Sequence, residues 1–262
     1  MTELKKCIGI VSYFPEENNM QARIKRITRF TQLINHINKL WPQLDILIIA
    51  QNWKDYKLPI IRNNIIKFDF ENGLGILNAR RLLRHKFLEL NYDYIIMLDD
   101  DAIINDCSQE IADKYLEEID KHPNMFCFIH SKIHWHTCDD YAMAPLNLCA
   151  ISRFIYEKED LPQVELEKQE ALEDDIFAVL LHLKYPEYEF LPPEGIYQMH
   201  NIKGQYIKQY SDRTIVPSTW YDIKNKKCNN VFLNTELVIS YLIKYKELPN
   251  FEELKKSLIW KR

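Results

Sequence analysis

Glycine is scarce, with only Gly9, Gly73, Gly75, Gly195 and Gly204 in 262 residues. Neither G-x-x-x-x-G-K-[ST] nor G-x-G-x-x-G occurs, so the glycine-rich phosphate cradles built on those spacings are excluded. Any phosphate bound here has to be met by a metal ion or by arginine side chains. No C-x-x-C pair is present among Cys7, Cys107, Cys127, Cys138, Cys149 and Cys228. With no signal peptide in view, free thiols in a reducing, cytoplasmic setting are expected. No apolar run approaches the ~18 residues of a membrane span, so no transmembrane segment is expected. Neither sign of charge dominates: the formal net charge is −4 and Lys and Arg are spread along the chain, which gives no global pull toward nucleic acid. Repeats, low-complexity tracts and clear linkers are also missing.

Apolar residues make up 47% of the chain, enough for a sizeable core. Short β-rich runs alternate with helical patterns through the first half. Strands are expected at "CIGIVS" (7–12), "LDILIIA" (44–50), "NIIKFDF" (64–70), "YIIML" (94–98) and "MFCFIH" (125–130). A helix over about 19–40 carries apolar residues at Ile24, Ile27, Phe30, Leu33, Ile34 and Ile37. Another covers "ILNARRLLRHKFLEL", and Ser108 caps a third that ends near "KHPN". This alternation predicts an α/β fold with a central, mostly parallel sheet flanked by helices. Ligands of such sheets gather at the carboxyl ends of the strands, a rim that here includes Ser12, Gln51, Asp69, Asn72 and Asp99 to Asp101. After Pro145 the pattern is less regular: a charged surface loop is expected over 157–170, then a helix at "LEDDIFAVLLHLKY" and one over 234–245.

The stretch "IIMLDDDAII" ends a buried strand in three carboxylates. Hard oxygen donors of this kind suit Mg²⁺ or Mn²⁺, and Mg²⁺ completes its shell with water and phosphate oxygens. A solvated polar turn is the plain alternative. An EF-hand loop is excluded, because Ile103 stands at a ligand position and no glycine follows.

"ENGLGILNARRLL" precedes "MLDDDAII", and "LEDDIF" follows later in the chain. In this order the three segments resemble the N-G…A-R, D-x-D and E-D motifs of GT-A-fold glycosyltransferases, especially the inverting family-two group. The likeness covers roughly residues 7–200. It implies one GT-A-like, Rossmann-like domain over 1–262, with a nucleotide-sugar-binding half over about 1–130. An acceptor-binding half would follow over about 131–215, then a helical extension over about 216–262. It further implies that Asp99 and Asp101 hold the metal, Mn²⁺ or Mg²⁺, and the donor's ribose or diphosphate, with Asp100 between them. Asn72 and Arg80 match the segment near the nucleotide. Asp174, or its neighbour Asp175, is implied to be the general base. In several metal-dependent members a later histidine completes the metal shell, and His200 stands in the corresponding place, just after an expected strand. Lys203, Lys208 and Arg213 would meet the diphosphate from a closing loop.

The chemistry agrees with these roles. A diphosphate leaving group gains negative charge as the glycosidic bond breaks, and a metal with arginine stabilises it. The acceptor hydroxyl needs a carboxylate to take its proton. The plain alternative for "LEDDIF" is acids favouring a helix N-terminus. Two departures from the pattern leave the nucleotide open, although a UDP-sugar is favoured. "IIAQNWKDY" replaces an acidic end of the second strand, and "SYFPEENN" replaces the usual segment after the first. Ser12 and Tyr13 are candidate nucleotide contacts. Tyr13 or Phe14 would stack on the base, or both belong to the core. Arg81 stands where an Asn commonly follows the motif arginine.

His130, His134, His136 and Cys138 offer zinc ligands without a second pair at standard spacing. An acceptor loop with Trp135 as a stacking platform is favoured instead. The expected acceptor is a bacterial surface glycan, free or lipid-linked. "FEELKKSLIWKR" is a faint basic amphipathic tail compatible with peripheral membrane contact. The Lys-, Ile-, Asn- and Tyr-rich composition is similar to that of large-phage proteins, which makes a glycosyltransferase acting on hydroxymethylated or already glycosylated DNA bases an alternative. A sugar nucleotidyltransferase would need a glycine-rich basic segment after the first strand, which is missing. A non-catalytic α/β binding module is the remaining reading.

Overall fold

The computed structural model describes residues 4–14, 20–53, 56–58, 63–102, 104, 107–127, 130–132, 142–143, 148–161, 177, 180–181, 184–193, 196 and 198–199. The chain forms two compact units. One comprises residues 1–134, 138–161 and 188–200, and the other 135–137, 162–187 and 201–262.

The first unit is built on strands β1 (Lys6–Tyr13), β2 (Asp45–Gln51), β3 (Ile65–Phe70) and β4 (Tyr94–Asp99). Then come β5 (Phe126–Cys127), β6 (His130–Lys132), β7 (Ala142–Met143), β8 (Cys149–Ser152) and β9 (Gln198–Met199). Its helices are α1 (Met20–Leu40), α2 (Ile76–Glu89), α3 (Gln109–Lys121) and α4 (Arg153–Lys158). The main sheet has the order β3-β2-β1-β4-β8-β5. β1 pairs in parallel with β2 and β4, and β2 with β3, whereas β8 runs antiparallel to both its neighbours. A smaller sheet has the order β7-β6-β9.

The apolar runs dictate this arrangement. β1, β2 and β4 are buried almost throughout, as strands covered by helices on both faces must be. α1 buries Phe30, Leu33, Ile34, Ile37 and Leu40, but Ile24 at the start of its apolar row is 57% exposed. α2 lies on β1 and β2. The fit requires Gly9: a Cβ there would stand 2.4 Å from Ile95 Cδ1 and 3.0 Å from Leu83 Cδ2. α3 starts where Ser108 Oγ accepts from Ile111 N at 3.3 Å, and the Trp41 indole donates to its Ala112 carbonyl.

β1 to β4 and α1 to α3 agree with the sequence expectation within a residue or two, while the expected strand over 125–130 is two pieces, β5 and β6. β9 occupies the place of the strand expected before His200. β7, β8 and α4 have no counterpart in the sequence pattern. β8 is only four residues long, and it owes its place to pairing with β4, where Cys149 faces Met97 and Ser152 faces Tyr94. α4 covers the first residues of the expected charged loop, its Ser152 Oγ capping Ile155 N. Leu148, which leads into β8, is fully buried with φ of 57°. This left-handed conformation is costly for leucine. It is held by Leu148 N donating to Met97 O at 2.6 Å and by Tyr115 Oη donating to Leu148 O at 3.0 Å.

In the second unit a helical stretch includes Phe177, Leu180, Leu181 and Lys184, of which the three apolar residues are buried. The expected helix over 234–245 and the extension over 216–262 lie outside the described residues.

Candidate active site

The chain winds from β1 to β2 and β3 on one side, then crosses to β4 on the other side of β1. Where the winding reverses, the carboxyl ends of neighbouring strands part and leave a crevice. Asp99 is paired with Val11, so Asp100 and Asp101 lie just past the end of β4, beside Ser12 and Tyr13.

The three carboxylates separate into different roles. Asp100 is the buried one, with 6% of its side chain exposed, against 25% for Asp99 and 23% for Asp101. Asp100 Oδ2 accepts from Ser12 Oγ at 2.7 Å and from Tyr13 N at 3.3 Å, and its Oδ1 accepts from Arg26 Nη1. Burial pushes the Asp100 carboxyl up to about 6; Arg26 opposes this, Asp101 and Asp99 add to it, and Ser12 moderates it. Asp99 Oδ1 accepts from Arg80 Nη2 at 2.8 Å, and Arg80 is itself buried. Asp101 Oδ2 faces Arg26 Nη1 at 3.4 Å and Arg29 Nη1 at 3.8 Å. Three carboxylates thus stand against three guanidinium groups.

An aromatic cluster lies beneath this rim. Phe14 stacks on Trp53 with ring centroids 4.7 Å apart, and Phe30 and Tyr56 meet both edge-on. The Trp53 indole donates to Ser12 Oγ at 3.0 Å, so the hydroxyl that binds Asp100 is fixed from below. Phe14 is therefore a core residue, whereas Tyr13 is 40% exposed. The turn before α2 comes close to Tyr13, since a Cβ on Gly73 would stand 3.4 Å from its ring. Gln51 Oε1 ties that turn down by accepting from Leu74 N at 2.6 Å. Gly75, with φ of 76°, opens α2 in a conformation that suits glycine. At the end of β2, Asn52 takes φ of 57° and donates from Nδ2 to Phe14 O at 2.9 Å. Asparagine tolerates that region better than most residues.

The rim thus brings together Ser12, Tyr13, Arg80, Asp99, Asp100 and Asp101, while Asn72 is exposed in the turn beside them. Arg81 instead donates to Leu161 O at 2.8 Å. Asp174, Asp175, His200, Lys203, Lys208, Arg213, His134, Trp135, His136 and Cys138 lie outside the described residues; for His130 only the backbone is described. Sequence reasoning missed Arg26 and Arg29. Their signal is the i, i+3 recurrence of Arg23, Arg26 and Arg29 on a helix that follows β1.

The donor set suits a divalent ion in its chemistry: Asp99 and Asp101 offer partly exposed carboxylate oxygens. Among the described residues, however, no three acid, His or Cys side chains converge on one point. Among those residues, too, no helix is long and apolar enough to cross a membrane.

No family model matches the chain, and no curated protein matches it. Solved structures do. The structure is similar to that of S. aureus TarS, with a TM-score of 0.54 and 10% identity over 97% of this chain. The fold is of the GT-A type. The match spans 42% of the length of TarS. Weaker likenesses have TM-scores of 0.36 and 0.40. They are to a protein of Desulfovibrio desulfuricans G20 assigned as a nucleotide-diphospho-sugar transferase, and to the bifunctional IspDF of Campylobacter jejuni. The first has 15% identity over 57% of this chain and 64% of that one, and the second 10% over 66% and 47%.

Proposed function

We propose that this chain is a glycosyltransferase that moves a sugar from a nucleotide donor, with a UDP-sugar favoured, to an acceptor hydroxyl. The observation that carries the reading is the position of Asp99 to Asp101. They lie at the switch point of a GT-A-type sheet, with exposed Tyr13 on one side and buried Arg80 on the other.

Tyr13 offers its ring face to the nucleobase, next to the Gly73 turn, where the absent side chain leaves room. Asn72 and Ser12 remain as the other nucleotide-side candidates, Ser12 through its hold on Asp100. Asp99 and Asp101 would hold Mn²⁺ or Mg²⁺, with His200 as a further ligand. When bound, the ion supplies electrostatic stabilisation to the departing diphosphate. Arg80 orients Asp99, and Asp100 keeps the ends of β1 and β4 and the α1 helix in register. Lys203 is a further candidate for the diphosphate.

In the transfer step, a bond forms from the acceptor oxygen to the anomeric carbon as the bond from that carbon to the diphosphate oxygen breaks. The acceptor proton passes to Asp174 or Asp175. Attack from the face opposite the leaving group inverts the anomeric centre. A surface glycan, free or lipid-linked, is the proposed acceptor. Modified DNA is the outcome to separate from it.

Equilibrium binding of UDP, GDP and TDP in the presence of Mn²⁺ tests the donor side. Micromolar affinity for one of them is expected, reduced roughly tenfold or more in Tyr13→Ala, as loss of a base-stacking contact implies. Failure of all three to bind would remove the nucleotide reading. Incubating the active donor with glycan and hydroxymethylated DNA acceptors then identifies the receiving molecule.

A further inference from the structure

Arg26 uses one nitrogen for two acids: Nη1 donates to Asp100 Oδ1 and stands 3.4 Å from Asp101 Oδ2. One turn further along α1, Arg29 Nη1 is 3.8 Å from the same Asp101 oxygen. With Arg80 on Asp99, each of the three acids already faces a guanidinium group. A divalent ion added to this arrangement would bring two positive charges next to guanidinium groups that hold the same oxygen. Repulsion of that kind is strong at a half-buried site, where water screens it poorly. A nucleoside diphosphate offsets this repulsion, because its negative charges satisfy both the ion and the arginines.

We propose that Arg26 is the resident counter-cation of the site, and that a divalent ion takes Asp101 in exchange for it. Arg26 keeps its deeper bond to Asp100 and gives up Asp101. The diphosphate, in turn, accepts the positive charge that Arg26 and Arg29 no longer spend on Asp101. Metal and nucleotide therefore bind with mutual reinforcement, and Arg26 sets its size. The coupling is reciprocal, as any linkage between two binding equilibria must be. The inference rests on the metal-binding role proposed above for Asp99 and Asp101.

The test is titration of the full chain with Mn²⁺, followed by electron paramagnetic resonance or calorimetry, with and without UDP. Arg26→Gln is expected to bind Mn²⁺ alone roughly tenfold tighter than the wild type, because it removes a full positive charge beside the ion. UDP should then improve Mn²⁺ binding less in the variant than in the wild type. Arg29→Gln leaves the Asp100 network intact and is expected to move both quantities in the same direction by less, which covers the case in which Arg26→Gln does not fold. Arg26→Lys keeps the charge and should stay near the wild type. Equal or weaker Mn²⁺ binding in both Gln variants would overturn the role of Arg26 while leaving the metal site in place. Absence of Mn²⁺ binding in every form, with or without UDP, would remove the metal site and the exchange together.

Discussion

At the residue scale, Asp100 shows how one aspartate of three becomes structural. Its carboxylate is buried at the junction of β1, β4 and α1 and faces Ser12 Oγ, Tyr13 N and Arg26, with Asp99 and Asp101 as neighbouring charges. Burial raises its pKa from 3.8 to about 6. Between about pH 4 and 6 the folded chain therefore holds a proton there that the unfolded chain has already released, while near neutral pH both are ionised. The sign follows directly. Stability contributed at this position is full at low pH and is lost as pH rises through the window from about 4 to 6. Asp100→Asn does not titrate, so the wild type should lose stability relative to that variant across this window in urea melts at several pH values. No change in the difference would mean that the pKa is not raised. Arg80 gives a second prediction. Arg80→Met removes a charged hydrogen bond to Asp99, at a cost of about 1–3 kcal/mol in chemical denaturation, and it should weaken nucleotide binding as Asp99 loses its orientation. The acid triplet was visible in the sequence as a strand end, whereas Arg80 and the pairing of Asp99 with Asp101 came from the resemblance to the N-G…A-R and D-x-D motifs. The sequence could not rank the three acids by depth, because strand register and the Trp53–Ser12 bond decide that.

At the element scale, the parallel core was legible because β1, β2 and β4 are continuous apolar runs and α1 to α3 have clear periodicity. β8 was not, since a four-residue strand carries no period of its own and exists by pairing with β4. Arg26 and Arg29 were missed for a related reason: the i, i+3 recurrence marks a basic helix face, but the acids it meets lie more than seventy residues away, just past the end of β4. The packing of α2 onto β1 gives a prediction at this scale. Gly9→Ala would push a methyl group into Ile95 and Leu83. A loss of about 1–3 kcal/mol is expected from such overpacking, measured by denaturant midpoint. Replacing the cap Ser108 by Ala should cost about 1 kcal/mol, since Ser108 Oγ serves the Ile111 amide. It should leave nucleotide binding unchanged, because α3 contributes no side chain to the rim described above.

For the whole molecule, strand order turns local motifs into a site. The sheet order β3-β2-β1-β4 places the switch point between β1 and β4, and the rim residues follow from it. The similarity to TarS, at 10% identity over 97% of this chain, bears on the fold alone; the proposed donor chemistry rests on the rim residues. The most direct measurement of the central proposal is Mn²⁺-dependent release of free sugar or nucleotide from a panel of sugar nucleotides. It compares the wild type with Asp99→Asn and Asp101→Asn variants shown to be folded. Turnover of at least one donor by the wild type is expected, with a loss of roughly a hundredfold or more in each variant, the scale of removing an electrostatic stabiliser of the leaving group. Undiminished turnover in both variants, or no turnover of any donor with or without acceptor, would contradict the proposal.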